Sequence, residues 1–191
     1  MATGSGVGGD EAHMPADMKA AIAEAALSLL IEQRVKKLTV KDIVEQCHIT
    51  RQAFYYHFAD IPELFGWMLE KRTEQMLGET LARGSSEEAL RRFFITAINI
   101  LPYVKRGMDS NYRAELEPLL RRYIQQFFER VAQGMNYYST CSAAEVRIIS
   151  RYHSLAVFGL LQEWSPQDTK QLDAIVRTVY RLMTEGIPPQ A

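Results

Sequence analysis

The sequence predicts an all-α fold of about nine helices, and three observations carry that prediction. Turn formers are scarce in the body of the chain. Of 11 glycines, four (Gly4, Gly6, Gly8 and Gly9) fall in the first nine residues, and the internal prolines are Pro62, Pro102, Pro118 and Pro166. Successive strands would need turn signals every ~8–12 residues, which this body lacks. Apolar residues instead recur at the helical period, and residues suited to helix N-caps stand immediately ahead of several of these stripes.

The elements follow in order. Residues 1–14 read as a flexible tail and are set apart from the fold, as are residues 188–191. In residues 16–34, Ile22, Ala26, Leu29, Leu30 and Gln33 share one face, with Lys19, Glu24 and Glu32 off it. Thr39 precedes Val40, Ile43 and Val44 as an N-cap, with Asp42 three residues on as in a capping box. Thr50 caps a helix carrying Phe54 and Phe58 on one side. Asp60 caps a fourth helix, with Pro62 in its first turn, and Leu64, Phe65, Met68, Leu69, Met76 and Leu77 form its apolar set as far as about Arg83. Gly84-Ser85-Ser86 interrupts the chain, and a helix through Phe93, Phe94, Ala97, Ile98 and Leu101 follows until Pro102 kinks or ends it. A loop or short helix around Gly107–Asn111 is expected, then a helix from about Glu117 to Met135, and a helix Ala143–Trp164 capped by Ser142. Ser165-Pro166-Gln167-Asp168 opens a last helix reaching about Glu185.

Composition bounds the function. Lys and Arg total 22 against 23 Asp and Glu, a net charge of −1, and 47% of residues are hydrophobic, so the 191-residue chain can bury a substantial core. No apolar run approaches the ~18–20 residues of a membrane span, and no secretory leader is visible. Cys47 and Cys141 give no disulfide framework, and no Cys/His spacing suits a metal, so neither metal nor cofactor is expected. No nucleophile–base pair or carboxylate dyad suggests an enzyme. A reducing cytoplasm is the expected compartment.

The informative segment is Leu38–Leu64. Two short helices, Val40–Gln46 and Arg51–His57, are joined by a turn that only a crossed pair can use, the geometry of a helix-turn-helix. The capping Thr39, the pair Ile43-Val44, the turn ending Ile49-Thr50, and the closing string Phe54-Tyr55-Tyr56-His57-Phe58 resemble the DNA-binding domain of TetR-family transcriptional regulators. The resemblance covers residues 16–70 directly. It implies a DNA-binding domain at 15–62, a helical ligand-binding and dimerisation domain at 63–187, and a homodimeric, ligand-responsive repressor whose partners are an operator in double-stranded DNA, a second copy, and a small lipophilic or aromatic effector. Two positions depart from the family pattern. His48 stands where the turn usually has Gly, and Ile61 where a phosphate-touching Lys is common. Both departures motivate an alternative, a co-regulator that keeps the motif but acts through protein contacts.

Arg51 and Gln52 occupy the outward start of the second helix, where Arg suits guanine O6/N7 and Gln suits adenine N6/N7. By resemblance, Tyr55 and His57 sit at phosphate positions and Tyr56 near the groove. Thr39, Lys41 and Thr50 lie at helix N-termini, which suit phosphate. For the effector, Phe94, Ile98, Tyr103, Tyr123, Phe127 and His153 are the expected lining, against the blander reading of ordinary core. The helix Ala143–Trp164 has two apolar faces. One holds Val146, Ile149, His153, Val157 and Leu160; the other holds Ile148, Tyr152, Leu155, Ala156 and Gly159. Tyr152, Leu155, Ala156 and Gly159, with Leu172, Ile175, Val179 and Met183 of the last helix, are expected to form a four-helix dimer interface. Charge is uneven as well. Residues 33–57 carry five basic and two acidic side chains, a local +3 that leaves the rest at −4, a basic head on an acidic body.

Overall fold

The computed structural model describes residues 14–82, 86–136 and 138–186. Among these, nine helices and no strand are present: α1 Met14–Ile31, α2 Val40–Cys47, α3 Arg51–His57, α4 Ile61–Ala82, α5 Ser86–Met108, α6 Arg113–Gly134, α7 Ala143–Gln162, α8 Pro166–Lys170 and α9 Leu172–Thr184. The expected tails lie outside the described residues, apart from Met14, which opens α1.

Local chemistry sets the helix starts. Thr39, Ser142 and Ser165 each form a full capping box with an acid three residues on: Asp42, Glu145 and Asp168. Each box satisfies two of the backbone N–H groups that a helix start leaves without a partner. These bonds hold the Glu145 and Asp168 carboxyls below their usual range, through donation from the Ser142 and Ser165 side chains first and their backbones second. Thr50 caps α3 by accepting from the Ala53 N–H at 3.1 Å.

Several expected boundaries shift, each for a physical reason. The first helix stops at Ile31, short of Gln33, and Arg34 then turns through φ 53°. Pro102 does not end α5, which runs on to Met108. Pro102 is exposed, so the carbonyl it fails to bond lies on the solvent side. The α6 helix begins at Arg113, ahead of Glu117, and accommodates Pro118 in the same way. The expected last helix is two, α8 and α9, broken at Gln171, whose φ of −107° and ψ of 16° are not helical.

Two clusters form the core. The first joins α1 to α4 through Ile22, Leu30, Leu38, Ile43, Phe54, Phe58, Ile61 and Leu64, and it extends into the body through Leu116, Leu120 and Phe158. The second fills the body with Phe93, Phe94, Phe127, Phe128, Val157, Trp164 and Val176. Phe93 stacks on Phe127 at 5.0 Å between ring centroids, and the Trp164 indole donates to Thr169 Oγ1 at 2.9 Å, so its one polar atom is satisfied inside the cluster. The α4 helix takes part in both cores, Leu64 and Phe65 in the first and Leu77 in the second. The helices α1–α3, packed on the start of α4, form the head, and the remaining helices form the body.

Candidate nucleic-acid interface

The head presents α3 through one strained residue. His48 ends α2 with φ 56° and ψ 38°, the left-handed conformation expected where Gly is usual. Its N–H donates to the Glu45 carbonyl at 3.3 Å, and the next N–H, of Ile49, donates to the Val44 carbonyl at 3.0 Å. This closes α2 and turns the chain so that α3 crosses it. Phe54 and Phe58 anchor α3 from below, with ring centroids 6.0 Å apart and both side chains buried.

What remains outward on α3 is the expected reading set. Arg51 and Gln52 are exposed, and neither side chain has a hydrogen-bond partner among the described residues. Tyr56 is 83% exposed and Tyr55 56%, an unusual state for two adjacent tyrosines unless something stacks on or bonds to them. His57 is half-buried, its ring edge-on to Tyr56 at 5.1 Å. Lys41 is exposed and only loosely paired, 3.7 Å from Glu45 one turn along. Arg34, Lys36 and Lys37 are also exposed on the head.

The two threonines differ. The Thr50 hydroxyl accepts from Ala53 and keeps its proton free to donate. The Thr39 hydroxyl is committed twice, donating to Asp42 Oδ2 at 2.7 Å and accepting from Asp42 N–H at 3.2 Å. Thr39 thus orients α2 and offers no free hydroxyl to phosphate. Ile61, at the position where a lysine was expected, is buried and closes the head core.

The six residues expected to line one effector pocket are dispersed. Phe94 is fully buried in the body core and Ile98 packs beside it. Phe127 and His153 line a cavity of about 330 Å³ between α4, α5, α6, α7 and α9, together with Thr80, Ser150 and Tyr180. Burial pushes the His153 imidazole below its usual value, so it faces that cavity neutral. The Thr80 hydroxyl there is fully buried and lacks a partner. Tyr103 lines a second cavity, of about 440 Å³, between α1, α4, α5 and α6. Tyr123 lies on a small apolar space of about 100 Å³ that adjoins the second cavity through Leu69, Arg72 and Ile100. Aromatic spacing could not resolve these spaces because ring residues pack the core and line its gaps with the same period.

The expected dimer residues also divide. On α7, Tyr152 is 70% exposed, Leu155 and Ala156 are exposed, and Gly159 has open space where a side chain would stand. Ile148 extends the same apolar face. The opposite face differs from expectation, with Leu160 exposed while Ser150 and Ser154 are buried, small enough for α6 to approach. Leu172, Ile175, Val179 and Met183 of α9 turn inward onto the body core, where α9 lies along α5. Among the described residues, no group of three or more His, Cys, Asp or Glu side chains could hold a metal ion, and no helix is long and apolar enough to cross a membrane.

Sequence reasoning missed Arg72 and Asn111. Arg72 lies in the charged run Glu70–Glu74 and reads there as solvated, yet it falls on the apolar stripe between Leu69 and Met76. Asn111 Oδ1 accepts the backbone N–H of Leu38 at 3.0 Å across 73 residues, a separation that no local pattern encodes.

Comparisons with known proteins agree with this geometry. Residues 22–66 match the model of "Bacterial regulatory proteins, tetR family". A probable acrEF/envCD operon repressor of Escherichia coli (strain K12) is 25% identical over 87 residues, 44% of this chain and 40% of that protein. The chain thus matches less than half the length of that relative. Among solved structures, the fatty acid degradation regulator FadR from Bacillus halodurans aligns with a TM-score of 0.59 at 14% identity, over 95% of this chain and 100% of that one. Thermus thermophilus FadR, a transcriptional repressor in complex with lauroyl-CoA, also gives 0.59, at 17% identity over 91% and 96%. These structural likenesses establish the fold. The head, residues 22–66, thus matches the tetR family of bacterial regulatory proteins in sequence, and the whole chain shares the fold of these solved structures.

Proposed function

We propose that the chain is a transcriptional repressor that reads an operator in double-stranded DNA as a homodimer and releases it on binding a small apolar effector. The observation that carries this reading is the outward face of α3, where Arg51, Gln52, Tyr55 and Tyr56 stand exposed on a helix whose other side is pinned by buried Phe54 and Phe58. In the proposed complex α3 enters the major groove. Arg51 and Gln52 read base edges there, while Tyr55, His57, Thr50 and Lys41 hold phosphates. The matched relative's name favours repression, the structural neighbours include both a repressor and an activator, and one neighbour's lauroyl-CoA favours an apolar effector. Residues 15–62 are the proposed reading head and 63–187 the effector and dimer body. The α7 face of Ile148, Tyr152, Leu155, Ala156 and Gly159 supports a partner copy, because contiguous exposed apolar residues mark an interface. Twin heads spaced about 34–36 Å apart would reach successive major grooves, and an effector that favours another spacing would lower affinity. The proposed activity is binding alone, in the cytoplasm.

The test is operator selection from a random duplex library, followed by gel shift with Arg51→Ala. Loss of one bidentate base contact costs about 1–3 kcal/mol per half-site and relaxes preference at a single position. Binding by the variant equal to wild type removes α3 as the reader. A library that yields no preferred site supports instead the co-regulator that acts through protein contacts, the reading His48 and Ile61 had motivated.

A further inference from the structure

Arg72 is the one cationic side chain lining the 440 Å³ cavity between head and body; Asn99 and Tyr103 also line it, and the remaining walls are apolar, among them Leu27 and Leu30 of α1, Leu69 of α4, Ile100 of α5 and Leu120 of α6. Its guanidinium donates through Nη1 to Gln75 Oε1 at 3.1 Å. Its Nε is sealed from solvent and has no acceptor among the described residues. Among the described residues no carboxylate lies within ion-pair distance of it. The guanidinium charge therefore has no counter-charge among the described residues. A buried donor with no acceptor is destabilising, and natural structures keep few of them. Arg92 also has buried unpartnered nitrogens, but it lies 3.5 Å from Glu88 and lines none of the cavities described above.

We infer that this cavity takes an apolar monocarboxylate, its carboxylate held by the Arg72 guanidinium and its chain laid along the apolar walls toward the adjoining space that Arg72 also lines. A single fixed cation matches one negative charge. A phosphate ester or a polyanionic conjugate would leave charge unpaired, because no second Lys or Arg lines the space. The volume lies in the range of small-molecule sites. The cavity also sits where a ligand can act on the head. Leu27 and Leu30 belong to α1, and Gly107 and Leu116, both lining it, flank the connection whose Asn111 holds the Leu38 N–H ahead of α2. This inference rests on the effector reading above and adds to it the effector's chemical class and the group that selects it.

The experiment titrates the full-length protein by calorimetry with straight-chain carboxylates from hexanoate to tetradecanoate, below their micelle concentrations, and with decanol and decyl phosphate. At least one carboxylate should bind, about tenfold or more tighter than decanol and tighter than decyl phosphate, since charge-assisted bonds are the strong ones. Arg72→Met should abolish that preference for the charged head while still binding decanol. Arg72→Lys, which keeps the charge but loses the fork, should fall between. The comparison of carboxylate with alcohol needs no variant, so it stands even if a variant folds poorly. Equal binding of decanoate and decanol, tighter binding of decyl phosphate, undiminished carboxylate binding by Arg72→Met, or no binding by any of the series overturns the assignment. Operator affinity is measured separately. Arg72-dependent binding that leaves it unchanged upholds the site and removes the effector reading. Operator release by decanol as effective as by decanoate keeps the effector reading and overturns the anionic one.

Discussion

At His48 a single residue carries the conformational demand of the whole motif. A residue with a Cβ in the left-handed region costs roughly 1–2 kcal/mol, although histidine tolerates it better than branched side chains. The side chain is exposed and forms no hydrogen bond among the described residues, so replacing it forfeits little. His48→Gly should stabilise the protein by up to about 1 kcal/mol, after allowing for the extra freedom glycine gains in the unfolded chain. That corresponds to a rise of about 2–4 °C in Tm for a chain of this size. A variant no more stable than wild type would show that the turn imposes no strain. His153 gives a pH signature of opposite origin. Burial lowers its folded pKa, so the unfolded chain takes up a proton first as pH falls. Its contribution is thus present above about pH 6.5 and is lost as pH drops from there through the folded value. Replacing it with Gln should flatten the fall in stability between about pH 7 and pH 5, read from denaturant midpoints at each pH. An unchanged slope would mean that His153 is not desolvated.

Among the elements, α7 divides its two faces most unequally. Its inner side uses Ser150, Ser154, Val157 and Leu161 against α6, while Ile148, Tyr152 and Leu155 face outward with nothing described against them. Tyr152→Glu combined with Leu155→Glu places two charges on that face without touching the core. The protein should remain folded by circular dichroism and sediment as a monomer, against the dimer proposed for wild type, and operator binding should fall to that of a half-site. A double variant that stays dimeric moves the interface elsewhere. The sequence made the outer face of α7 legible because a stripe such as Ile148, Tyr152, Leu155, Ala156 and Gly159 has a period that survives without a partner. It misread α9, whose stripe at Leu172, Ile175, Val179 and Met183 has the same period but is covered by α5. Periodicity reports that a face is apolar, not what covers it. Caps were the most legible feature, since Thr39, Ser142 and Ser165 act on donors three residues away. The cavities were the least legible, because Phe94 packs solidly in the core while Arg72, in a charged run, lines a cavity.

Across the whole molecule, head and body share the first core cluster, and a single hydrogen bond ties the entrance of α2 to the α5–α6 connection. Leu38 is fully buried at the entrance to α2, and its N–H has Asn111 Oδ1 as its acceptor. Beside it, Phe65 of α4 meets Tyr112 edge-on at 6.0 Å, so the α5–α6 connection holds both the head and the helix that leaves it. Removing the Asn111 carbonyl leaves a buried donor without an acceptor, which costs about 1–3 kcal/mol. Because Thr39 and its capping box begin one residue later, the loss is transmitted to the placement of α2 and hence of α3. Asn111→Ala should therefore lower stability by about that amount, speed hydrogen exchange at the Leu38 amide, and weaken operator binding although Asn111 lies outside α3. Asn111→Asp keeps an oxygen acceptor and should retain the protection at Leu38. If operator release by a cavity ligand passes through this connection, Asn111→Ala should also narrow the ratio of operator affinities measured without and with the ligand, since the head would already have lost the restraint that the ligand disturbs. An alanine variant with native exchange at Leu38 and a native affinity ratio would remove the bond from the path between body and head. It would leave the shared packing of Leu116 and Leu120 against the head core as the connection to test next.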